Sequence, residues 1–142
     1  MQRLIAIMPG ANGRDYVIDI MRGIGTEEHT FDLPVHFKGQ LIETSFDLTH
    51  ETTRLEPLGN ANGYQHLWKR SESEALDSLE EASWLLGDKF YTLSFAADQS
   101  LTTYLTELGA NDPNHNLRRE QAFIMRAKGN SCLLYTSDAA DD

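Results

Sequence analysis

At 142 residues the chain suits one domain of ordinary size, able to bury roughly two thirds of the surface its unfolded form exposes. Hydrophobic residues make up 40% and charged residues 24%, with 10 Gly and 4 Pro, which excludes disordered and collagen-like classes. Against 12 Lys plus Arg stand 22 Asp plus Glu, a net charge of -10. A surface this acidic repels nucleic-acid phosphates and anionic lipid, so no nucleic-acid partner is expected, and any acidic polysaccharide must be held by local Arg, His or Lys.

The single cysteine, Cys132, permits neither an internal disulfide nor a Cys-based zinc knuckle. No apolar run is long enough for a membrane span. The opening MQRLIAIMPG is too short in apolar residues for a signal-peptide core, so nothing in this chain directs export.

Arg3 to Met8 is a short apolar run closed by the turn formers of Pro9 to Gly13, and Tyr16 to Met21 alternates imperfectly; together they predict a β-hairpin with a five-residue loop. From His29 to Phe37, Phe31, Leu33, Val35 and Phe37 recur with period two, and Pro34 favours an edge position or a bulge. Leu41 to Leu48 reads as a further strand. Asp19, Asp32 and Asp47 sit in or at the ends of strand-like segments, where a carboxylate wants a partner.

The turn-rich PLGNANG of Pro57 to Gly63 leads into YQHLWK, Tyr64 to Lys69. Ser71 to Leu86 is rich in acids, and its Leu76, Leu79 and Ser83 are helically spaced, which predicts irregular structure with about two turns of helix. Strands resume at Lys89 to Ala97 and Leu101 to Leu108, and, after the polar GANDPNHN, at Arg119 to Lys128. The pattern predicts an all-β antiparallel β-sandwich spanning residues 1–130. The final SCLLYTSDAADD departs from it and resembles a translated sequencing-adapter tail; residues 131–142 are expected to be disordered, non-native and packed against nothing.

Motifs for dinucleotides, phosphate loops, zinc proteases and serine hydrolases are absent. Arg22 could grip a carboxylate bidentately or pair with Glu27, Glu28 or Asp19. His29 and His36 stand an odd number of residues apart, hence on opposite faces of an unbroken strand. His29, Asp47 and His66 offer two imidazoles and a carboxylate from separate segments, a donor set zinc accepts. Tyr64 with Trp68, and Tyr91 with Tyr104, could form a sugar-stacking platform or pack in the core.

Residues Asp15 to Leu67 resemble the β-sandwich domain of the heparinase II/III-like polysaccharide lyases, most closely the alginate and oligoalginate lyases among them. The resemblance rests on Asp19, Arg22, Gly25, His29, His36 and Gly39 within DIMRGIGTEEHTFDLPVHFKGQ, on PLGNANGYQHLW, and on NLRREQAFIMR, Asn116 to Arg126. Gly23 and Gly25 stand apart where such proteins often have adjacent glycines, and TFDLPVH replaces a shorter form.

The resemblance implies a fragment of a lyase that cleaves uronate-containing polysaccharide of alginate or heparin/heparan type by β-elimination. Its N-terminal α/α toroid, which carries the main catalytic groups, is missing here, so Met1 is read as internal and the isolated chain as inactive. The parent would be periplasmic or secreted. Within this chain the resemblance implies His29 as a catalytic histidine, Arg22 and His36 as substrate-binding, and His29, Asp47 and His66 as zinc ligands, with His36 and Asp32 as competing donors. A noncatalytic carbohydrate-binding module is the alternative: an Arg or His cluster at a cleft favours the lyase piece, a flat array of Tyr64, Trp68 and Tyr91 the module.

Overall fold

The computed structural model describes residues 1–10, 15–50, 55–108 and 120–141, with side chains through residue 136. Among these residues the chain forms ten antiparallel strands and one 3-10 turn, with no α-helix: the all-β antiparallel sandwich expected from the alternation. The strands are β1 (Gln2–Pro9), β2 (Asp15–His36), β3 (Gln40–Thr44), β4 (Leu48–His50), β5 (Glu56–Pro57), β6 (Leu67–Ser73), β7 (Glu80–Leu86), β8 (Lys89–Ala97), β9 (Leu101–Leu108) and β10 (Glu120–Asp141).

The seam of the sheet is β10. Along one edge it pairs with β2 from Ala122 to Ala139; along the other it pairs first with β9, Glu120 to Ala127, and then with β8, Leu134 to Asp141. Two branches therefore leave the seam, β9–β6 carrying the short β4 and β5, and β8–β7–β3. Both contribute to one core, in which Leu33, Phe123, Met125, Leu101 and Leu105 join Trp84, Leu93 and Phe95. Phe37 lies between the branches, its ring 5.2 Å from Trp84 and 5.3 Å from Phe123.

A single irregularity in the seam decides which residues face this core. Ile24 pairs with Ser131 and His29 with Gly129, so Gly25 to Glu28 loop out of β2 against the one unpaired residue Asn130. One extra residue reverses the side-chain parity of a strand. Phe123, Met125 and Ala127 are accordingly buried before Asn130, and Cys132, Leu134 and Thr136 after it.

The expectation that the tail packs against nothing is corrected for residues 131–141. The segment from Ser131 is paired to β2 and, from Leu134, to β8, while the Leu133 amide donates to Asp98 Oδ1 at 2.9 Å and the Asp98 amide returns a bond to Leu133 O at 3.0 Å. The alternation after Asn130 is out of step with the preceding strand, which is why it reads as foreign to it. The acidic Ser71 to Leu86 stretch differs too. It holds no helix; Ser71 and Ser73 end β6, and Ala82 and Trp84 alternate inward on β7. Leu76, whose helical spacing was suggestive, instead exchanges two backbone hydrogen bonds with Leu101. The predicted strand Leu41 to Leu48 is split by a bend into β3 and β4.

Other expectations hold. The hairpin closes at Pro9 opposite Asp15, leaving a five-residue connection. Among the described residues Pro34 lies where one edge of β2 has no partner strand, since β1 covers β2 only as far as Arg22. The GANDPNHN loop lies outside the described residues. Gly39 takes φ +102, and a Cβ there would stand 2.1 Å from Leu85 O, so both backbone shape and space require glycine at the turn from β2 into β3.

Candidate functional site

Side chains directly opposite one another in a ladder share a face. Arg126 on β10 is opposite Asp32 on β2 and Thr102 on β9. Its Nε and Nη2 donate to Asp32 Oδ1 and Oδ2, each at 2.8 Å, and the Tyr64 hydroxyl donates to the same carboxylate. The guanidinium carbon is 5.6 Å from the centre of the Tyr64 ring and 5.2 Å from that of Tyr104. These are cation–π distances, and a planar guanidinium suits both contacts at once.

The electrostatics follow from the geometry. Hydrogen bonds to Asp32 raise the Arg126 pKa further, outweighing the burial that opposes its charge. Burial, and then the bond to Asp32, push the Tyr64 phenol up. Tyr64 is therefore held protonated and donating, and Arg126 has two of its five donors committed to Asp32. Ala122 and Ile124, on the same face of β10, are buried, so this side of the sheet is only partly open to solvent. Together the four polar residues fasten the 3-10 turn Tyr64–His66 to the seam.

The residues singled out in the sequence lie elsewhere. Arg22 is exposed between Gln2 and Leu133 and pairs with no carboxylate among the described residues; Asp19 is taken by Arg3, at 2.6 Å. His29 is exposed opposite Gly129, its ring edge-on to Phe31 and folded over Gly25, where an added Cβ would meet it at 2.3 Å. The glycine before that histidine is thus the space its imidazole occupies. His36 is exposed opposite Ala122, and the register between it and His29 is unbroken, so the two are on opposite faces and about 23 Å apart along the strand.

Asp47 is exposed in the bend between β3 and β4, and His66 is exposed at the end of the 3-10 turn. Among the described residues no group of three His, Cys, Asp or Glu that could hold a metal ion is found, and this neither bears out nor overturns the expectation of zinc at His29, Asp47 and His66. The competing donor Asp32 is engaged by Arg126 and Tyr64. No chemical step is routed through zinc. The flat aromatic array does not form either, because Tyr64 turns to Asp32 and Tyr91 stacks on Trp84 at 6.0 Å.

Sequence reasoning missed Arg126 as a site residue. The signal available was Asp32, a carboxylate in a strand requiring a partner; its partner is 94 residues away. Several concavities open among the described residues, including two roomy ones. One, of about 490 Å³, opens at the end of the core between Lys38, Gly39, Glu107 and Gln121, with Arg70 4.0 Å from Glu107. The other, of about 450 Å³, lies between the Pro57 to Asn60 loop and Trp68.

With these β strands and this polar cluster in view, comparison with known proteins finds the chain homologous to alginate-lyase-type proteins. It is 40% identical over 115 residues to an exo-oligoalginate lyase of Saccharophagus degradans, covering 79% of this chain and 16% of the relative. It is 37% identical over 125 residues to an alginate lyase of Stenotrophomonas maltophilia, covering 88% of this chain and 17% of the relative. The chain thus spans about a sixth of the length of these curated relatives. No family model matches it. No helix among the described residues is long and apolar enough to cross a membrane.

Proposed function

We propose that the chain is a β-sandwich segment of a polysaccharide lyase acting on uronate-containing polysaccharide of the alginate or heparin/heparan type. The observation that carries this reading is the match, over most of the chain, to two proteins named as alginate lyases. In the elimination a base takes the C5 proton, the C4–C5 double bond forms and the 4-linked oxygen leaves with the C4–O electron pair. The C5 proton is weakly acidic until the neighbouring carboxylate is neutralised.

In this reading the base and acid belong to a toroid elsewhere in the parent, which is periplasmic or secreted. Arg22 and His36, exposed on β2, contact uronate carboxylates, and His29, on the face opposite His36, is presented from there toward the reacting sugar. The Arg126–Asp32 pair, on the same face of β2 as His36, braces the sheet there.

The test is to incubate the purified chain with alginate and heparan oligosaccharides, following ultraviolet absorbance of the unsaturated product together with binding by calorimetry. Binding without turnover is expected, weakened in Arg22→Ala. Turnover by this chain alone would refute the assignment of the chemistry to another part of the parent, and absence of binding to either polymer would refute the substrate class.

A further inference from the structure

We propose that the concavity between Trp68 and the Pro57 to Asn60 loop is a sugar-ring subsite that takes a pyranose by its C–H face and hydroxyls, without a carboxylate contact. It lies apart from Arg22, His29 and His36, and shares with the reading above only the class of ligand.

Three features of the cleft carry the proposal. It measures about 450 Å³, within the range of small-ligand sites, and half-buried Trp68 forms one wall with Pro57 opposite it in register. An aromatic wall offers an apolar, polarisable surface to the C–H groups of a sugar ring. At the rim, exposed Asn60 supplies an amide donor and acceptor and Glu56 a carboxylate acceptor, the complement of vicinal hydroxyls. Among the described residues no Lys, Arg or His lines the cleft.

The loop is also held in place before any ligand arrives. Leu58 N–H donates to Leu67 O at 2.7 Å, Tyr64 N–H to Ala61 O at 3.1 Å and Gly63 N–H to Gln65 Oε1 at 3.0 Å. Tyr64 then ties the loop's far end to Asp32 on the seam. A cleft wall fixed at both ends spends little ordering entropy on binding.

The chain has two tryptophans, and Trp84 is buried in the core, so ligand-dependent emission reports Trp68. Neutral mannose oligosaccharide, mannuronate oligosaccharide and a proline-rich peptide are titrated into the whole chain, with emission and calorimetry read together. The neutral sugar is expected to shift the emission and to bind at least as tightly as the uronate, with little salt dependence. Trp68→Leu should abolish the shift and weaken binding about 3- to 10-fold; Asn60→Ala, an exposed loop change, should weaken it about 2- to 10-fold.

Uronate binding while the neutral sugar leaves Trp68 emission unchanged overturns the subsite and leaves the lyase reading intact. Neutral-sugar binding at Trp68 with no uronate binding supports the subsite and counts against that reading. A shift produced by the peptide alone, or by no probe, overturns the subsite.

Discussion

Asp32 and Arg126, 94 residues apart in sequence, face each other across the β2–β10 ladder and are joined by two hydrogen bonds of 2.8 Å. Their side chains retain only 9% and 18% exposure, so removing one leaves the other largely desolvated. Arg126→Ala is expected to lower unfolding free energy by about 3 kcal/mol. Arg126→Lys should recover only part of this, since an ammonium cannot bond bidentately or lie flat between two rings. Urea unfolding midpoints decide it: if Lys and Arg are equivalent, charge alone matters and the ring contacts contribute nothing.

Tyr64 makes the same cluster sensitive to alkali. Its folded-state pKa lies above the ordinary tyrosine value because burial, and then the bond to Asp32, favour the protonated phenol. A raised folded pKa gives stability that is complete below the unfolded value and is lost as pH rises through the folded one. The stability difference between the parent chain and Tyr64→Phe should therefore be constant at neutral pH and shrink above about pH 10. A difference that stays the same between about pH 8 and pH 11 would show that the hydroxyl is not held in this way.

Cys132 tests the second half of the seam. It is 1% exposed, and burial raises its thiol pKa. Thiol-specific reagent should modify it on the order of 10³-fold more slowly in the native chain than in denaturant. Reaction at the denatured rate would mean that β10 ends before Ser131.

Gly39 and Gly87 form a matched pair of positive-φ glycines. At Gly87, φ is +67 with nothing near an added Cβ, whereas at Gly39 the Leu85 carbonyl blocks it. Gly87→Ala should cost about 1 kcal/mol, and Gly39→Ala at least about 2 kcal/mol. Equal losses in thermal unfolding would remove the steric part of the argument.

How much of this was legible beforehand depends on whether the information was local. The bounds of β8 and β9 follow from strand-forming runs set between turn formers, and the structure has the same bounds. Between β6 and β7, local spacing misleads: Leu79 is exposed and Leu76 belongs to a bridge, while Ala82 and Trp84 carry the period of β7. Beyond Asn130, one unpaired residue inverted the pattern. The need of Asp32 for a partner was visible, but pairing it with Arg126 required the register of strands separated by most of the chain. The proposed ligand histidines carried the right chemistry for zinc, and nothing local could state whether their segments meet.

The position of β10 also shapes how the molecule must fold. Its neighbours β2, β8 and β9 all precede it in sequence, and β2 and β8 acquire their central partner only when β10 arrives. Closure of the β2–β10 ladder joins residues as distant as Asp32 and Arg126, a topology that places folding in the slow, millisecond-to-second regime of high contact order. During that interval the β1–β2 hairpin displays Leu4, Ile5, Ile7 and Met8, which stay exposed even in the finished fold. Refolding yield should therefore fall with protein concentration, because the waiting intermediate offers a second chain the same unsatisfied strands that β10 is destined to fill.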